Sequence, residues 1–389
     1  MAVHVQDSKI NTIAELLSEK GFDGLGEVVQ IAINEAMLIE RERHLNATRY
    51  ERTSERNGYA NGFKPKQLKT RLGELNLSVP QVRNGDFYPS FLERGLRSEK
   101  ALNVALAEMY IQGVSTRKVS AIIEDLCGFE VSSDEVSRAA QALDTEFSAW
   151  RNRAIGKMVY LFLDARYEKV RHGGCVVDSA VLIAYGVNEK GIRQILGVSV
   201  ALSEAEVHWR GFLESLVARG LYGLTCITSD AHSGLKAAMT AVFPSVPWQR
   251  CQFHLQQNAQ AYVPKKELKS EVADDIRSIF NATNSVEAKR ITALIVTKYE
   301  KSAPALSQWI DANIAEGLTV LTFPISHRRR LRTSNIAERV NKEVRRRTRV
   351  ATLFPNTASC ERLVSAVLME ITEEWETGKV YLDMTELVK

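Results

Sequence analysis

Three acidic residues occupy positions where carboxylates could bind metal ions. Asp164 follows the apolar run VYLFL, Asp230 follows LTCITS, and Glu338 lies in the arginine-rich stretch RTSNIAERVNKEVRRRTRV. Burying an unpaired carboxylate costs several kcal/mol, whereas one at the end of a strand faces the crevice where ligands bind in open α/β sheets. Two Mg²⁺ ions about 4 Å apart, held by carboxylates, serve phosphodiester chemistry by activating a nucleophilic oxygen and stabilising a leaving oxygen. The three acids are therefore candidate catalytic residues and metal ligands, although either aspartate alone is also explained as a cap or turn residue.

The stretch around Glu338 carries an excess of positive charge. Residues 328–349 contain nine arginines and one lysine against two glutamates, while the whole chain has a net charge of only +4. A helix begun by Ser334 as its cap would place the apolar residues in one stripe, which contains Ile336, Ala337, Val340 and Val344. The other face then carries Glu338 with Asn341, Lys342 and Arg345. Two interpretations stay open: a solvated helix with i,i+4 ion pairs, or a phosphate-binding surface on which Glu338 binds a metal ion.

The composition is that of an ordinary globular protein and excludes several classes. The 389 residues are 45% hydrophobic and 25% charged, enough for two or three domains with a sizeable core. We find no apolar run of about 18 residues and no signal-peptide pattern. The five cysteines are scattered and odd in number, which argues against a disulfide framework. We therefore expect a soluble, cytoplasmic protein without membrane segments, and the clustered positive charge predicts a polyanionic partner.

The first 150 residues are expected to be mainly helical. Residues 8–45 have helical periodicity with a break at 21–26, residues 53–67 resemble a basic loop or linker, and 68–82 alternate as a small β-hairpin. Residues 113–143 predict two short helices around a glycine turn, the second opened by a Ser132 and Glu135 capping box. This arrangement is either plain structural packing or a DNA-binding helix-turn-helix. In the second case the DNA-contacting residues would be Arg117, Lys118, Ser133, Ser137 and Arg138.

From residue 157 the pattern changes to alternating strands and helices. Residues 157–167, 174–187 and 192–202 predict an antiparallel meander, and strands at 223–230 and 246–255 follow, each after a helix. The order βββαβαβ predicts an α/β fold with a mixed five-stranded sheet flanked by helices, and 256–325 predict an all-α insertion. The expected domains are 1–67, a helical region and basic linker; 68–150, the hairpin and helix-turn-helix-like region; 151–255 with 326–389, the sheet domain; and 256–325, the insertion.

Several motifs together carry a family resemblance. Asp164, Asp230 and Glu338, the last followed seven residues later by Arg345, resemble the DDE motif of ribonuclease H-like transposases. The stretches GVSTRKVS, YLFLDARY, FPSVPWQRCQFHLQQN and RTSNIAERVNKEVRRRTRVATLFP resemble the Mutator-type (IS256) family of bacterial insertion-sequence transposases. The likeness runs from about residue 55 to 375.

The resemblance implies a ribonuclease H-like catalytic domain whose triad, Asp164, Asp230 and Glu338, binds two Mg²⁺ or Mn²⁺ ions. It also implies a mainly helical N-terminal region that binds double-stranded DNA at terminal inverted repeats, and homodimers or larger synaptic assemblies that join the ends to target DNA. A bacterial, nucleoid-associated location follows. Cys251 and His254 match the family's C-x-x-H signature. By spacing they form half a zinc site, but no second ligand pair follows, so we expect His254 to contact DNA or the scissile phosphate.

The predicted function is cleavage of phosphodiester bonds at transposon ends followed by strand transfer. The predicted DNA contacts of the catalytic domain are Arg345, Lys342, Asn341, His254, Cys251, Arg328, Arg329, Arg330, Arg346 and Arg347. Two alternatives remain: a ribonuclease H-like, structure-specific nuclease without strand transfer, and a catalytically silent DNA-binding regulator.

Overall fold

The computed structural model divides the chain into two compact units, residues 1–143 and 144–389. It describes residues 2–83, 87–90, 92, 98–349 and 353–387. Within those residues no helix is both long enough and apolar enough to cross a membrane.

The first unit combines helices with one β-hairpin. Its elements are α1 (Ala2–Lys20), α2 (Leu25–Leu45), β1 (Tyr59–Thr70), β2 (Gly73–Arg83), α3 (Lys100–Ile111), α4 (Thr116–Cys127) and α5 (Ser133–Gln141). A short 3-10 helix at Gly21–Gly24 separates α1 from α2, as the predicted break required. The hairpin's apolar face packs on α2, where Leu75, Leu77 and Val79 meet Met37 in one buried cluster.

The basic segment before the hairpin is partly a strand, not a loop. β1 begins at Tyr59 and pairs with β2 as far as Arg83, so residues 59–67 were wrongly interpreted as a linker. The first seven residues of β1 are all exposed. Both faces of that part of the strand are solvated, so it needs no apolar alternation, and the pattern used to recognise strands was missing there.

The predicted pair of short helices is present in α4 and α5. Ser115 caps α4, Gly128 ends it in the left-handed conformation (φ +72°), and Ser132 and Glu135 form the predicted capping box at α5. Val119, Ile123 and other apolar side chains of both helices share one buried cluster with α3. The predicted pair of short helices around a glycine turn is therefore confirmed, whereas a DNA-binding helix-turn-helix stays a prediction.

The second unit is built on a mixed five-stranded sheet. Its strands are β3 (Met158–His172), β4 (Cys175–Asn188), β5 (Arg193–Ala201), β6 (Cys226–Ser229) and β7 (Trp248–Arg250). The spatial order is β5-β4-β3-β6-β7, with β3, β4 and β5 antiparallel and β6 and β7 parallel to β3. The predicted meander followed by two further strands is thus confirmed.

Helices cover both faces of this sheet. They are α6 (Asp144–Arg151), α7 (Glu206–Ala218), α8 (Ser233–Val242), α9 (Gln252–Ala259), α10 (Leu268–Phe280), α11 (Ser285–Tyr299), α12 (Pro304–Asn313), α13 (Ile325–Leu331), α14 (Asn335–Thr348) and α15 (Thr357–Glu376). Alternate residues of β3 pack in two different hydrophobic clusters. Leu161 and Leu163 pack with α7 and α8, while Tyr160 and Phe162 pack with α14 and α15. Asp164 continues the second series, so it lies on the face that α14 covers.

The last strand is shorter than expected. β7 contains only three residues, because Cys251 already caps α9 and the helix begins at Gln252. His254 therefore lies in the first turn of a helix, and its predicted place at a strand end was wrong. Residues 256–325 contain only helical elements and turns, as predicted.

Candidate active site

The register of two parallel strands brings Asp164 and Asp230 together. β3 and β6 pair Tyr160 with Cys226 and Phe162 with Thr228. Continuing this register by two residues places Asp230, just past the end of β6, beside Asp164. Neighbouring strands lie about 4.8 Å apart. Two acids separated by 66 positions in the sequence are thus adjacent where β6 ends beside the middle of β3, at the end of the buried run of β3.

The environment of Asp164 makes its carboxyl a weaker acid than usual. Burial raises the pKa of this carboxyl to about 6, and the Asp230 carboxylate pushes it in the same direction, while a hydrogen bond from Asn341 and the charge of His254 oppose the rise. Asn341 Nδ2 donates to Asp164 Oδ2 at 2.5 Å. Asp164 and Asp230 are adjacent and Asp164 is largely buried, so a bound cation would stabilise the pair of carboxylates.

Helix α14 is attached along β3 by polar contacts. Besides the Asn341 bond to Asp164, Arg166 Nη1 donates to the Asn341 carbonyl oxygen at 2.7 Å, and Thr348 Oγ1 donates to Glu168 at 2.9 Å. The predicted apolar stripe of α14 (Ile336, Ala337, Val340 and Val344) is buried against the core. These contacts hold the helix over the strand that carries Asp164.

Glu338 lies on the outer side of α14, as predicted, and its side chain is exposed. It precedes Asn341 by three residues, and residues three apart share a helix face. Glu338 and Asn341 are therefore neighbours on the surface of α14. Among the described residues, however, no three His, Cys, Asp or Glu side chains are arranged closely enough to hold a metal ion. Convergence of all three predicted acids stays a prediction.

The start of α14 is anchored to the end of β7 through a buried cysteine. The backbone N–H and the hydroxyl of Ser334 both donate to Cys251 Sγ, at 3.4 and 3.3 Å, and Cys251 is fully buried. Ser334 is the residue before α14, but its side chain makes no capping hydrogen bond to that helix, contrary to prediction. Cys251 therefore positions the Glu338 helix, while its predicted contact with DNA stays a prediction.

His254 joins this cluster to the acids. Hydrogen bonding to Cys251 raises the pKa of His254 to about 9 against the effect of burial, and the carboxylates of Asp230 and Asp164 add to the rise. Burial raises the pKa of the Cys251 thiol, but hydrogen bonds from His254 and Ser334 outweigh it and lower the pKa below its usual value. The imidazolium form of His254 is thus favoured at neutral pH beside the two acids.

Two further contacts fix the segment that leads into α14. Thr228 Oγ1 donates to the Leu331 carbonyl, and the Gln252 N–H donates to the Arg332 carbonyl, both at 2.9 Å. Asp230 follows β6, and His254 lies in α9. These two elements therefore also set where the Glu338 helix begins.

Comparison with known proteins assigns the chain to a family. The family model described as "Transposase, Mutator family" matches residues 3–378. The chain belongs to the Mutator family of transposases. It is 56% identical to the transposase for insertion sequence element IS406 of Burkholderia multivorans, over 98% of this chain and 99% of the relative. It is 42% identical to the ISRM5 transposase of Rhizobium meliloti (94% and 92%) and 37% identical to the IS256 transposase of transposon Tn4001 from Staphylococcus aureus (90% of each).

The arginines predicted to hold DNA fall into two groups in this Mutator-family chain. Lys342, Arg345, Arg329 and Arg330 are exposed. The last two, with Arg332, Thr333 and Tyr381, line a cavity of about 260 Å³. Their contact with DNA stays a prediction.

The other predicted cations are used within the protein. Arg328 donates to the carbonyls of Phe323, Thr283 and Leu321. Arg347 is buried and pairs with Glu343 and Glu370, and the exposed Arg346 also pairs with Glu343. Arg328 and Arg347 therefore have partners within the protein, and DNA contact by either of them stays a prediction. In the first unit, Arg117, Lys118, Ser133 and Arg138 are exposed and Ser137 is partly buried.

Sequence reasoning missed how Asn341 and its neighbours act. Asn341 was predicted as a DNA contact, yet its amide binds Asp164. Arg166 and Glu168, which no prediction included, form an ion pair with each other. A signal existed in DARYE: Asp164, Arg166 and Glu168 alternate, so they share one face of β3, and three charged residues on a covered face require polar partners.

Proposed function

We propose that this chain cleaves phosphodiester bonds at the terminal inverted repeats of an insertion sequence and joins the exposed 3′-OH to target DNA by a two-metal DDE mechanism. The observation that carries the proposal is the parallel register of β3 and β6, whose continuation brings Asp164 beside Asp230, together with the hydrogen bond from Asn341 of the Glu338 helix to Asp164. The relatives named as insertion-sequence transposases support the same function.

We also propose that the second unit has a ribonuclease H-like fold. Its support is the strand arrangement, an antiparallel meander β3–β5 continued by the parallel strands β6 and β7, with acids at the ends of β3's buried run and of β6. In this proposal residues 256–325, which include α10, α11 and α12, form the insertion between the second aspartate and the glutamate.

The residues at the site fit hard divalent cations such as Mg²⁺ or Mn²⁺. Carboxylate and amide oxygens are the ligands such ions prefer. Asn341 Oδ1 is buried and has no hydrogen-bond partner among the described residues, although its amide nitrogen binds Asp164. Asn341 Oδ1 and the two carboxylates together provide the oxygen donors that a cation site requires. Asp164, Asp230 and Glu338 would hold the ions.

Each side chain at the site has a role that follows from its position. Bound Mg²⁺ would supply activation of the attacking oxygen and stabilisation of the leaving oxygen. Asn341 orients the Asp164 carboxylate and favours its ionised form. The His254 imidazolium offsets part of the negative charge of the acid pair and offers an N–H to a phosphate oxygen. Arg345 and Lys342 are placed to bind the DNA backbone.

The test is an end-cleavage and strand-transfer assay with duplexes that carry the element's terminal repeats. Asp164→Asn, Asp230→Asn and Glu338→Gln should abolish nicking and strand transfer but leave binding of the duplex unchanged, because each removes a carboxylate without removing a cation. Asp178→Asn, at an exposed position of β4, is the matched control and should remain active. Normal cleavage by Asp230→Asn in Mg²⁺ would refute the mechanism.

The same assay separates the alternatives. A structure-specific nuclease would nick branched or hybrid substrates and yield no joined product. A silent regulator would bind the repeats and cut nothing. A joined product that depends on all three acids supports the transposase alone. We further propose that two or more copies act on paired ends, which a native-mass measurement of the protein bound to end duplexes would show.

A further inference from the structure

A buried tyrosine of β4 lies close to Asp164 on the covered face of the sheet. Tyr185 is fully buried and pairs directly with Phe162, two residues before Asp164 on β3. Residues that pair directly in an antiparallel sheet share a face, so Tyr185 and Asp164 both lie on the face that α14 and α15 cover. The two are diagonal neighbours, and such positions are about 7–8 Å apart, within reach of an aromatic side chain. A tyrosine here can therefore reach the Asp164 carboxylate from the buried side.

The hydroxyl of Tyr185 has no role in packing the core. Tyr185 Oη is buried and has no hydrogen-bond partner in the described part of the chain. The ring packs against Trp375 of α15, with 6.3 Å between the ring centroids. A phenylalanine would make the same ring contact without the free-energy cost of burying an unpaired hydroxyl. The polar atom therefore requires an explanation other than the stability of the fold.

Two charged neighbours on β3 act on this hydroxyl. Burial raises the pKa of Tyr185 well above its usual value, the carboxylate of Asp164 adds to the rise, and the guanidinium of Arg166 opposes it. The hydroxyl therefore keeps its proton and can donate a hydrogen bond. Because Asp164 and Arg166 alternate along β3, both are on the face that carries Tyr185.

Arg166 provides a second unpaired donor on the same face. Its Nη1 donates to the Asn341 carbonyl oxygen at 2.7 Å, and its Nη2 pairs with Glu168 at 2.5 Å. Its Nε is buried and lacks a partner among the residues that the structure describes. A tyrosine hydroxyl can accept one hydrogen bond while it donates another. Tyr185 can therefore accept from Arg166 and donate to Asp164, an arrangement that pairs both buried atoms.

We propose that Tyr185 is a positioning residue whose hydroxyl donates to the Asp164 carboxylate and thereby strengthens the binding of a divalent cation. Groups that hydrogen-bond a metal-binding carboxylate orient it, and their loss weakens metal binding. The inference rests on the proposed function, since the cation site that Tyr185 serves is the one proposed at Asp164 and Asp230.

The test compares two tyrosine-to-phenylalanine variants of the full-length protein by Mn²⁺ binding, measured by electron paramagnetic resonance with and without an end duplex. Tyr185→Phe should weaken Mn²⁺ binding by about 10-fold or more. Its melting temperature should stay the same or rise, because the variant removes an unpaired buried hydroxyl. A folded protein with a weaker cation site is thus the expected result.

Tyr160→Phe is the matched control. Tyr160 is fully buried on the same face of β3, but its hydroxyl is hydrogen-bonded to His327 Nδ1 at 2.7 Å. Its loss leaves His327 without that partner, so the melting temperature should fall while Mn²⁺ affinity stays at the wild-type value. Wild-type Mn²⁺ affinity in Tyr185→Phe would overturn the proposal, and so would equal weakening of Mn²⁺ binding by the two variants.

End cleavage provides a second measurement. Tyr185→Phe should raise the Mg²⁺ concentration for half-maximal cleavage by about the factor found for Mn²⁺ affinity, and its rate at saturating Mg²⁺ should approach that of the wild type, because all three acids remain. A lower rate at saturating Mg²⁺ with an unchanged half-maximal concentration would contradict a role in cation binding.

Asp164→Asn distinguishes this inference from the proposed function. If Asp164→Asn loses Mn²⁺ binding and Tyr185→Phe does not, the inference fails and the proposed function stands. If both variants weaken Mn²⁺ binding but the wild type neither cleaves nor joins the end duplexes, the role of Tyr185 is supported and the proposed function fails. If Asp164→Asn binds Mn²⁺ as tightly as the wild type, the proposed cation site is refuted, and the inference with it.

Discussion

Replacing Asn341 by alanine tests whether helix α14 controls the ionisation of the acid pair. Burial raises the pKa of Asp164 to about 6, and the Asn341 hydrogen bond opposes that rise. A hydrogen bond to a charged group contributes about 1.5–3 kcal/mol, and one pKa unit corresponds to about 1.4 kcal/mol. We therefore expect Asn341→Ala to raise the pKa of Asp164 to about 7–8.

Asn341→Ala should therefore lose cleavage activity at neutral pH but not at high pH. At pH 7 the ionised fraction of Asp164 should fall from about 90% to between about 10% and 50%, so cleavage should slow by about 2- to 10-fold. Near pH 9 the carboxylate is ionised in both proteins, and the rates should approach each other. The assay is initial end cleavage from about pH 5.5 to 9 at subsaturating Mg²⁺, because a bound cation competes with the proton.

Lys342→Ala is the control, since it changes the neighbouring exposed residue and should leave the pH profile in place. If Asn341→Ala is slowed by the same factor at pH 7 and pH 9, the hydrogen bond does not act through the ionisation of Asp164, and the reasoning is refuted. A melt at each pH shows that both variants remain folded.

Three further predictions concern the same unit. Mn²⁺ affinity, measured by electron paramagnetic resonance, should weaken about tenfold per unit as the pH falls below the Asp164 pKa of about 6, because the proton and the ion compete for one carboxylate; Asp164→Asn should remove this dependence. Cys251→Ala should slow end cleavage more than it weakens duplex binding, since it releases Ser334 at the start of α14. The control, Cys226→Ala, replaces another buried cysteine and should change the melting temperature but not the ratio of cleavage rate to duplex binding. Equal effects of both variants on cleavage would contradict the anchoring role. Gly234→Ala should lower stability by about 1–3 kcal/mol, because its Cβ would lie 2.3 Å from the Glu204 carbonyl oxygen, while Gly211→Ala, with no atom within 4 Å, should leave the melting temperature unchanged or raise it.

Local patterns were sufficient to predict most elements of the second unit. The buried runs of β3 and β6, the meander and the apolar stripe of α14 were all visible as periodicities, because one side of each element must face the core. The pattern failed where no side is buried, as in the first half of β1, and where a helix cap interrupts an apolar run, as at Cys251.

The sequence by itself determined which groups are available for chemistry: two aspartates that end apolar runs and a glutamate on a cationic helix. Only the tertiary structure decided which groups meet. Asn341 binds an acid 177 positions away, and Ser334 binds Cys251 83 positions away instead of capping its own helix. Arg347 is buried between two glutamates while the nearby Arg345 is exposed. The reason is physical: periodicity reports which side of an element is buried, whereas hydrogen-bond partners depend on strand register and helix placement, which distant parts of the chain set together.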